Sequence, residues 1–257
     1  MRAAMRKACP IWTSVLPRSP RTAAARADDL DPAPEAHNHG PVDYYLISAR
    51  AGDRSPAGLL VEEFVLCEDY TAAGIDGAEW RPENRAWSSS AELSRAIRAD
   101  RALRGRVTPV SRQEAYDAFA RLGGGRLPEE AGLRTLFQER RPLPTSSPLN
   151  LGGGSGARRY RILFAGELGA DGLARARKAL RLQPTGDPRV VGAASADSGG
   201  HGFTWELRRI GAGIAWCVDV TARLGSGPVT ALGALLHHHR QAIRDQGLIP
   251  VTIERFA

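Results

Sequence analysis

Apolar and polar side chains alternate most regularly near the C-terminal end of the chain. Residues 203–210 and 214–224 form two alternating runs, which Gly211, Ala212 and Gly213 separate. Alternation with a period of two is typical of β-strands, and a glycine-rich break between two such runs predicts a hairpin. One face of this hairpin carries seven apolar side chains, which we predict to form a core beneath helices: Phe203, Trp205, Leu207, Ile214, Trp216, Val218 and Val220.

Further elements surround this hairpin. In chain order they are a strand at 160–165, a helix at 168–182, a short strand at 189–191, the hairpin, a helix from Pro228 to Gly247 and a strand at 249–256. This β-α-(β)-β-β-α-β order predicts a ferredoxin-like α/β sandwich over residues 158–257. In that fold, two helices cover one face of an antiparallel sheet.

The segment 42–140 has a different pattern, with strands first and helices after. Aromatic and β-branched residues at 42–48 and 59–66 predict a β-hairpin, and Trp80 and Trp87 lie in a turn-rich segment that could close over it as a small aromatic core. Three helices are predicted after it, from Ser89 or Ser90 to Gly105, from the capping box Ser111-Arg112-Gln113-Glu114 to Leu122, and from Pro128 to Arg140. The fold class is therefore α+β, with two small modules.

Residues 141–157 contain three prolines, several serines and the run from Gly152 to Gly156. Such a segment cannot build a core, so we predict a linker that tethers the two modules. The glycine run lacks the Lys-Ser/Thr pair that a phosphate-binding loop places after its last glycine, and no strand precedes it.

Residues 1–41 are predicted to be a disordered leader. Residues 1–27 contain six basic residues and no acidic one, and an acidic, proline-rich stretch follows from Asp28 to Pro41. No apolar centre of the length of a secretory signal is present. A targeting segment for organellar import and an overextended start are the alternatives, and a cytoplasmic location is expected.

Cysteine usage and hydropathy set further bounds. Cys9, Cys67 and Cys217 are odd in number and far apart, which excludes a disulfide framework and favours a reducing compartment. Cys67 and Cys217 lie in apolar, strand-like runs and are expected to be buried. No apolar run approaches the length of about 20 residues that spans a bilayer, so no membrane partner is expected.

The net charge of +7 is unevenly distributed. Residues 151–257 contain 14 basic and 8 acidic residues, whereas residues 41–150 contain 15 and 16. A basic C-terminal module is compatible with nucleic-acid binding, and the candidate residues are Arg158, Arg159, Arg161, Arg208 and Arg209. However, only two lysines accompany 33 arginines, which is typical of a protein from a GC-rich bacterial genome.

The face of the hairpin opposite the predicted core is polar and of mixed charge. It carries Thr204, Glu206, Arg208, Cys217, Asp219 and Thr221. RNA-binding sheets instead expose stacking aromatic side chains beside a basic rim. A solvated face, or an interface between two copies of the sheet, is therefore favoured over a nucleic-acid surface.

Two segments contain groups that could do chemistry. His237, His238 and His239 are consecutive, so on a helix they point about 100° apart and cannot bind one metal ion, and a solvated helix surface including His239 and Arg240 is favoured. The loop 197–202 offers Asp197, Ser198 and His201, but proximity in sequence does not make a catalytic triad. His201 and His237 remain the candidates for a metal, and no catalytic residue or cofactor is predicted.

The sequence thus favours a non-enzymatic adaptor or regulatory protein that associates with a protein partner or with itself. The first alternative is a nucleic-acid-binding accessory protein that uses the basic C-terminal module. The second is a small enzyme whose site lies at the loop 197–202 and the histidine run.

Overall fold

Alternating and continuous apolar runs form the strands of two antiparallel sheets. The computed structural model describes residues 41–53, 55–143, 157–211 and 215–256. The N-terminal half contains β1 (Asp43–Ser48), β2 (Pro56–Leu66), β3 (Ala72–Arg81), β4 (Ala86–Ser89), α1 (Ala91–Ala99), α2 (Arg101–Arg104), β5 (Val107–Val110), α3 (Arg112–Arg121), α4 (Glu130–Arg134) and β6 (Arg141–Pro142). The C-terminal half contains β7 (Ala157–Ala165), α5 (Ala170–Ala179), β8 (Val190–Ser198), β9 (His201–Ile210), β10 (Ala215–Arg223), α6 (Thr230–Arg244) and β11 (Ile249–Arg255). The α+β class is confirmed.

The N-terminal sheet has the strand order β4-β3-β2-β1-β5, and β6 also pairs with β3. Both of its faces are covered. On one face, side chains such as Tyr44 and Val61 pack against Ala115 and Phe119 of α3. On the other, Tyr45 and Leu60 pack against Ile97 of α1 and against Ile249 of β11.

The C-terminal sheet has the order β11-β7-β10-β9-β8, with every pair antiparallel. The side chains predicted for its inner face are buried wherever they are described, from Phe203 and Trp205 to Trp216 and Val220. They share one cluster with residues of α5 and α6, so this part of the prediction is confirmed. Ile214 lies outside the described residues.

Side chains of the two halves meet in the same core. The cluster beneath α5 and α6 also contains Phe64, Ala72 and Ile75 of the N-terminal half. The described residues belong to one compact unit. None of their helices combines the length and apolarity needed to cross a membrane.

The N-terminal half differs from its prediction in strand content. The hairpin of β1 and β2 is confirmed, but residues 72–81 and 86–89 are strands of the same sheet rather than turns above it. The description of this half as a hairpin followed by helices was therefore wrong. Small residues such as Ala72, Gly74 and Gly77 hid β3 because they lack the β-branched signal, while their small size lets neighbouring chains approach closely.

Two of the three helices predicted for the N-terminal half differ from their predicted lengths, whereas α3 has the predicted ends. The helix expected up to Gly105 is interrupted at Asp100, whose backbone is extended and whose carboxylate accepts hydrogen bonds from the amides of Ala102 and Leu103. The capping box of Ser111 and Glu114 is present as predicted. The last predicted helix is reduced to the five residues of α4.

The expected linker and leader fall largely outside the described residues, at 144–156 and 1–40. Arg141 and Pro142, placed in the linker by the sequence, pair with β3 instead. The domain limits stay a prediction. Cys217 is buried as expected, but Cys67 is exposed because β2 ends one residue earlier and Cys67 begins a turn.

Candidate functional site

The outer face of the C-terminal sheet is formed by the side chains that alternate with the buried ones. It contains a shallow groove of about 380 Å³. We call this surface the open face and define it by the residues that line the groove: Arg159, Arg161, Thr204, Glu206, Arg208, Asp219, Thr221 and Phe256. It comprises three cationic and two anionic side chains, two threonines and one aromatic ring.

Arg161 and Asp219 form the central ion pair of the open face. Because they lie opposite each other on β7 and β10, the guanidinium donates two hydrogen bonds to the carboxylate, at 2.7 and 2.8 Å. These hydrogen bonds raise the pKa of Arg161 above its ordinary value. The guanidinium carbon of Arg161 also lies 5.2 Å from the centre of the Phe256 ring. Arg161 is therefore neutralised and held in place.

Arg208 is surrounded by acidic groups. Its Nε donates to Glu206 at 2.9 Å and lies 4.0 Å from Asp219, and a further nitrogen lies 3.7 Å from Asp187. The hydrogen bond to Glu206 is the main cause of its raised pKa. The positive charges of the open face thus alternate with negative ones.

The five arginines that the sequence singled out for nucleic acid lie on two different faces. Arg159, Arg161 and Arg208 belong to the open face. Arg158 is an even number of residues from the buried Tyr160, so it belongs to the opposite face of β7. Arg209 lies opposite the buried Trp216 in the register and binds Glu167 at 3.2 Å. The structure does not gather them into one patch.

His201 holds a loop in place. Its Nδ1 accepts a hydrogen bond from the Gly225 amide at 2.9 Å, and its Nε2 lies 2.9 Å from the Pro228 carbonyl oxygen. The first bond assigns the proton to Nε2, which therefore donates to Pro228. Both ring nitrogens are engaged with backbone, which leaves His201 no lone pair for a metal or for proton transfer in this arrangement.

The loop expected at 197–202 is a tight hairpin turn instead. Asp197 and Ser198 are the last residues of β8, which is longer than the short strand that the sequence indicated. Gly199 and Gly200 both have positive φ, of 61° and 79°, as the two central residues of a type I′ turn require. The carboxylate, hydroxyl and imidazole therefore belong to two paired strands.

The three consecutive histidines have three different environments. His238 is exposed, His237 is partly buried, and His239 is buried with its ring centre 4.8 Å from that of Trp205. Burial lowers the pKa of His239 to about 3. The expectation that His239 and Arg240 lie on a solvated surface was wrong, because α6 packs between the two sheets and buries both side chains. Within the described ranges, no group of histidine, cysteine and acidic side chains could hold a metal ion.

A buried ionic cluster that the sequence did not reveal joins the two halves. We call it the junction cluster: Asp43, Glu62, Arg98, Arg240 and Arg244. The Asp43 carboxylate of β1 forms ion pairs with two arginines of α6, with Nε of Arg244 at 3.2 Å and a terminal nitrogen of Arg240 at 3.4 Å. Arg244 also donates to the backbone carbonyls of Tyr44 and Val110.

Arg98 and Glu62 form the other pair of the junction cluster. Two guanidinium nitrogens of Arg98 donate to the Glu62 carboxylate, at 2.6 and 3.1 Å. Burial alone would lower the pKa of Arg98, but the Glu62 carboxylate, with smaller contributions from Tyr45 and Asp43, raises it, and the net pKa is above its ordinary value. The neighbouring hydroxyl of Tyr45 is buried without a hydrogen-bond partner among the described residues, and burial raises its pKa, with Glu62 and Asp43 adding to the rise.

A cavity of about 220 Å³ lies next to this cluster, between β2 and α6, and we call it the junction cavity. Its lining includes apolar side chains from both halves together with Glu63, Thr230, His237 and Arg240. Tyr70, which has a positive φ of 67°, packs its ring against Gly233. A β-carbon at position 233 would lie 2.3 Å from that ring, so glycine is required for this close contact.

Neither the junction cluster nor the junction cavity has a local signal in the sequence, because their residues come from opposite ends of the chain, such as Asp43 and Arg244, and meet only in the tertiary structure. The one exception is the spacing of Arg240 and Arg244, which lie four residues apart and therefore on the same side of α6 as the buried Leu236 and Ile243. No protein-family model, curated protein or solved structure matches this chain.

Proposed function

We propose that this protein is a non-enzymatic adaptor or regulatory protein that associates with a second copy of itself through the open face. The observation that carries the proposal is the alternation of charge on that face: Arg161 beside Asp219, and Arg208 beside Glu206. A two-fold interface brings a surface against itself, so it must offer both partners of each contact. A surface with interspersed positive and negative groups meets this requirement.

The same charge pattern disfavours the nucleic-acid alternative. Phosphate backbones attract a surface of one sign, and each acidic side chain beside an arginine reduces that attraction. Of the three arginines on the open face, Arg161 and Arg208 have acidic partners, and Arg159 has no ion pair among the described residues. A single exposed arginine is a small basis for phosphate binding.

We also propose that the C-terminal half is a ferredoxin-like sandwich with one extra strand. The order β11-β7-β10-β9 is antiparallel throughout and α5 and α6 pack against one side of the sheet, while β8 adds an edge strand beyond β9. This arrangement supports the proposal because it leaves the other side of the sheet available for association.

Sedimentation-velocity ultracentrifugation across a range of protein concentrations tests the association. We expect a dimer that weakens at high salt, because its contacts are charged. Arg159→Glu should raise the dimer dissociation constant by about tenfold or more. Lys178→Glu makes the same change of charge on the exposed surface of α5, on the other side of the sheet, and should have no effect.

A monomer at concentrations up to about 100 μM would contradict the proposal, since it would exclude all but very weak association. Equal effects of the two substitutions would also contradict it, because net charge rather than the open face would then control association. Salt-sensitive binding of single- or double-stranded DNA or RNA that Arg159→Glu removes would favour the nucleic-acid alternative instead.

A further inference from the structure

The junction cavity has the dimensions of a small-molecule site. Its volume of about 220 Å³ exceeds the roughly 150 Å³ that accommodates a benzene molecule in a protein interior. Apolar walls come from three elements, with Phe64 and Leu66 of β2, Leu236 of α6 and Ile253 of β11. This combination of apolar walls and a few convergent polar groups is typical of binding pockets for compact organic molecules.

The junction cluster, which borders the cavity through Arg240, carries a net positive charge. The junction cluster contains three guanidinium groups and two carboxylates, so one positive charge is left over within it. Glu63 also lines the cavity, but its carboxylate accepts a hydrogen bond from Arg134 at 2.8 Å. An uncompensated buried charge is costly, and a bound anion would neutralise it.

Arg240 is the cation that reaches the cavity. It is 5% exposed, and its guanidinium lies 5.3 Å from the centre of the Phe64 ring. Among the described residues its one ion pair is to Asp43 at 3.4 Å, and Asp43 is shared with Arg244. A guanidinium carries five N–H donors, so Arg240 has donors left for a ligand.

We propose that the junction cavity binds a small organic carboxylate with a compact apolar body of about the size of benzoate, with its carboxylate on Arg240. The apolar walls receive the body of the ligand, and the planar guanidinium can bind both carboxylate oxygens. The site is distinct from the open face, and its occupation does not depend on association of the protein.

His237 completes the polar end of the cavity. Burial, with a smaller contribution from the nearby Arg240, lowers its pKa, so at neutral pH its ring is uncharged and carries one N–H. A neutral ring does not add to the positive charge that Arg240 supplies. A divalent cation is a poor occupant here, because the surrounding cluster already carries an excess of positive charge.

Isothermal titration calorimetry on the full chain tests this site, with benzoate, phenylacetate, isovalerate and hexanoate as probes. We expect at least one of these anions to bind with one site per chain and to raise the melting temperature. The neutral analogue of that probe, such as benzamide for benzoate, should bind at least about tenfold more weakly. Failure of all four anions to bind, or equal binding of the neutral analogue, would overturn the proposal.

Two substitutions locate the site. Ala234→Trp places a large ring at the exposed rim of the cavity and should abolish binding, whereas Ala174→Trp makes the same change on the exposed surface of α5 and should not. Arg240→Met should remove binding of the anion, and Arg240→Lys should retain part of it. Should Arg240→Met fail to fold, the Ala234→Trp and Ala174→Trp pair decides the result. Unchanged binding by Ala234→Trp would place the ligand elsewhere.

Discussion

The two sheets of this protein differ in how many of their faces are covered. In the N-terminal sheet every residue of β2 from Gly58 to Val65 is buried, because helices lie on one face and α1 and the C-terminal half lie on the other. In the C-terminal sheet β9 alternates between buried and more exposed positions. Covering the second face of a sheet converts its polar positions into interior ones.

This difference decides what the charged side chains do. Asp219 on the open face and Asp43 in the junction cluster each approach two arginines, but the side chain of Asp219 is 18% exposed and that of Asp43 is 4% exposed. Water screens the first set of contacts, whereas the second set replaces hydration entirely. An aspartate beside two arginines is therefore a surface feature on the open face, whereas the same arrangement in the junction cluster is required for the stability of the fold.

The largest expected effect on stability comes from replacing the aspartate of each arrangement by asparagine. Asp43→Asn leaves two buried guanidinium groups without their carboxylate, so we expect it to lower the free energy of unfolding by about 3–5 kcal/mol. Asp219→Asn on the open face should cost about 1 kcal/mol or less. Urea unfolding followed by tryptophan fluorescence measures both. Similar losses for the two variants would show that coverage of the sheet is not what distinguishes them.

The second expected effect concerns pH and the helix that separates the sheets. The pKa of His239 is about 3 in the folded protein, below its ordinary value of about 6.5, so the unfolded chain takes up the proton first as the pH falls. The stability contribution of neutral His239 is present above about pH 6.5 and is lost progressively towards pH 3, with about 2–3 kcal/mol lost by about pH 4.5.

His239→Leu removes this dependence, and urea unfolding between neutral and acidic pH measures it. The stability of the variant should fall less with acidification than that of the wild type, by about the amount just given. His238→Leu, at the exposed neighbouring position, should follow the wild-type profile. Parallel profiles for wild type and His239→Leu would contradict the burial of this ring beside Trp205.

The smallest expected effect tests the helix that covers the N-terminal sheet. Ser111 accepts a hydrogen bond from the Glu114 amide and the Glu114 carboxylate accepts one from the Ser111 amide. Ser111→Ala removes half of this capping box and should cost about 1 kcal/mol. Ser88→Ala, at an exposed position of β4, is the matched control and should be near neutral. A loss no greater than that of the control would mean that α3 does not depend on its cap.

The sequence predicted the C-terminal half better than the N-terminal half for the same physical reason. A sheet with one open face produces alternation, which gave the inner face of β9 and β10 correctly. A sheet covered on both faces does not alternate, and β3, with its small residues, has no strong strand signal. Of the three helices expected around it, the one with the capping box has the predicted ends, the first is interrupted at Asp100, and the last is shorter than predicted.

The candidate sites divide in the same way. The mixed charge of the open face follows from the alternation of polar and apolar residues in β9 and β10, so the sequence alone predicted it. The position of Arg158 and Arg209 on the other face follows from the same alternation, but grouping the arginines by net charge obscured it. Nothing local to Asp43 or Glu62 indicated that these acids would be buried.

By itself, the sequence determined features that depend on neighbouring residues: the alternating strands β9 and β10 and the capping box of α3. The tertiary structure decided which faces are covered, and so whether Arg240 and His239 are in water or in the core. That decision depends on the packing of α6 between two sheets, which brings together groups from both ends of the chain. Contacts between residues so far apart produce no repeating pattern in a single sequence, because each side chain could pack against many others and only the complete fold determines which one it contacts.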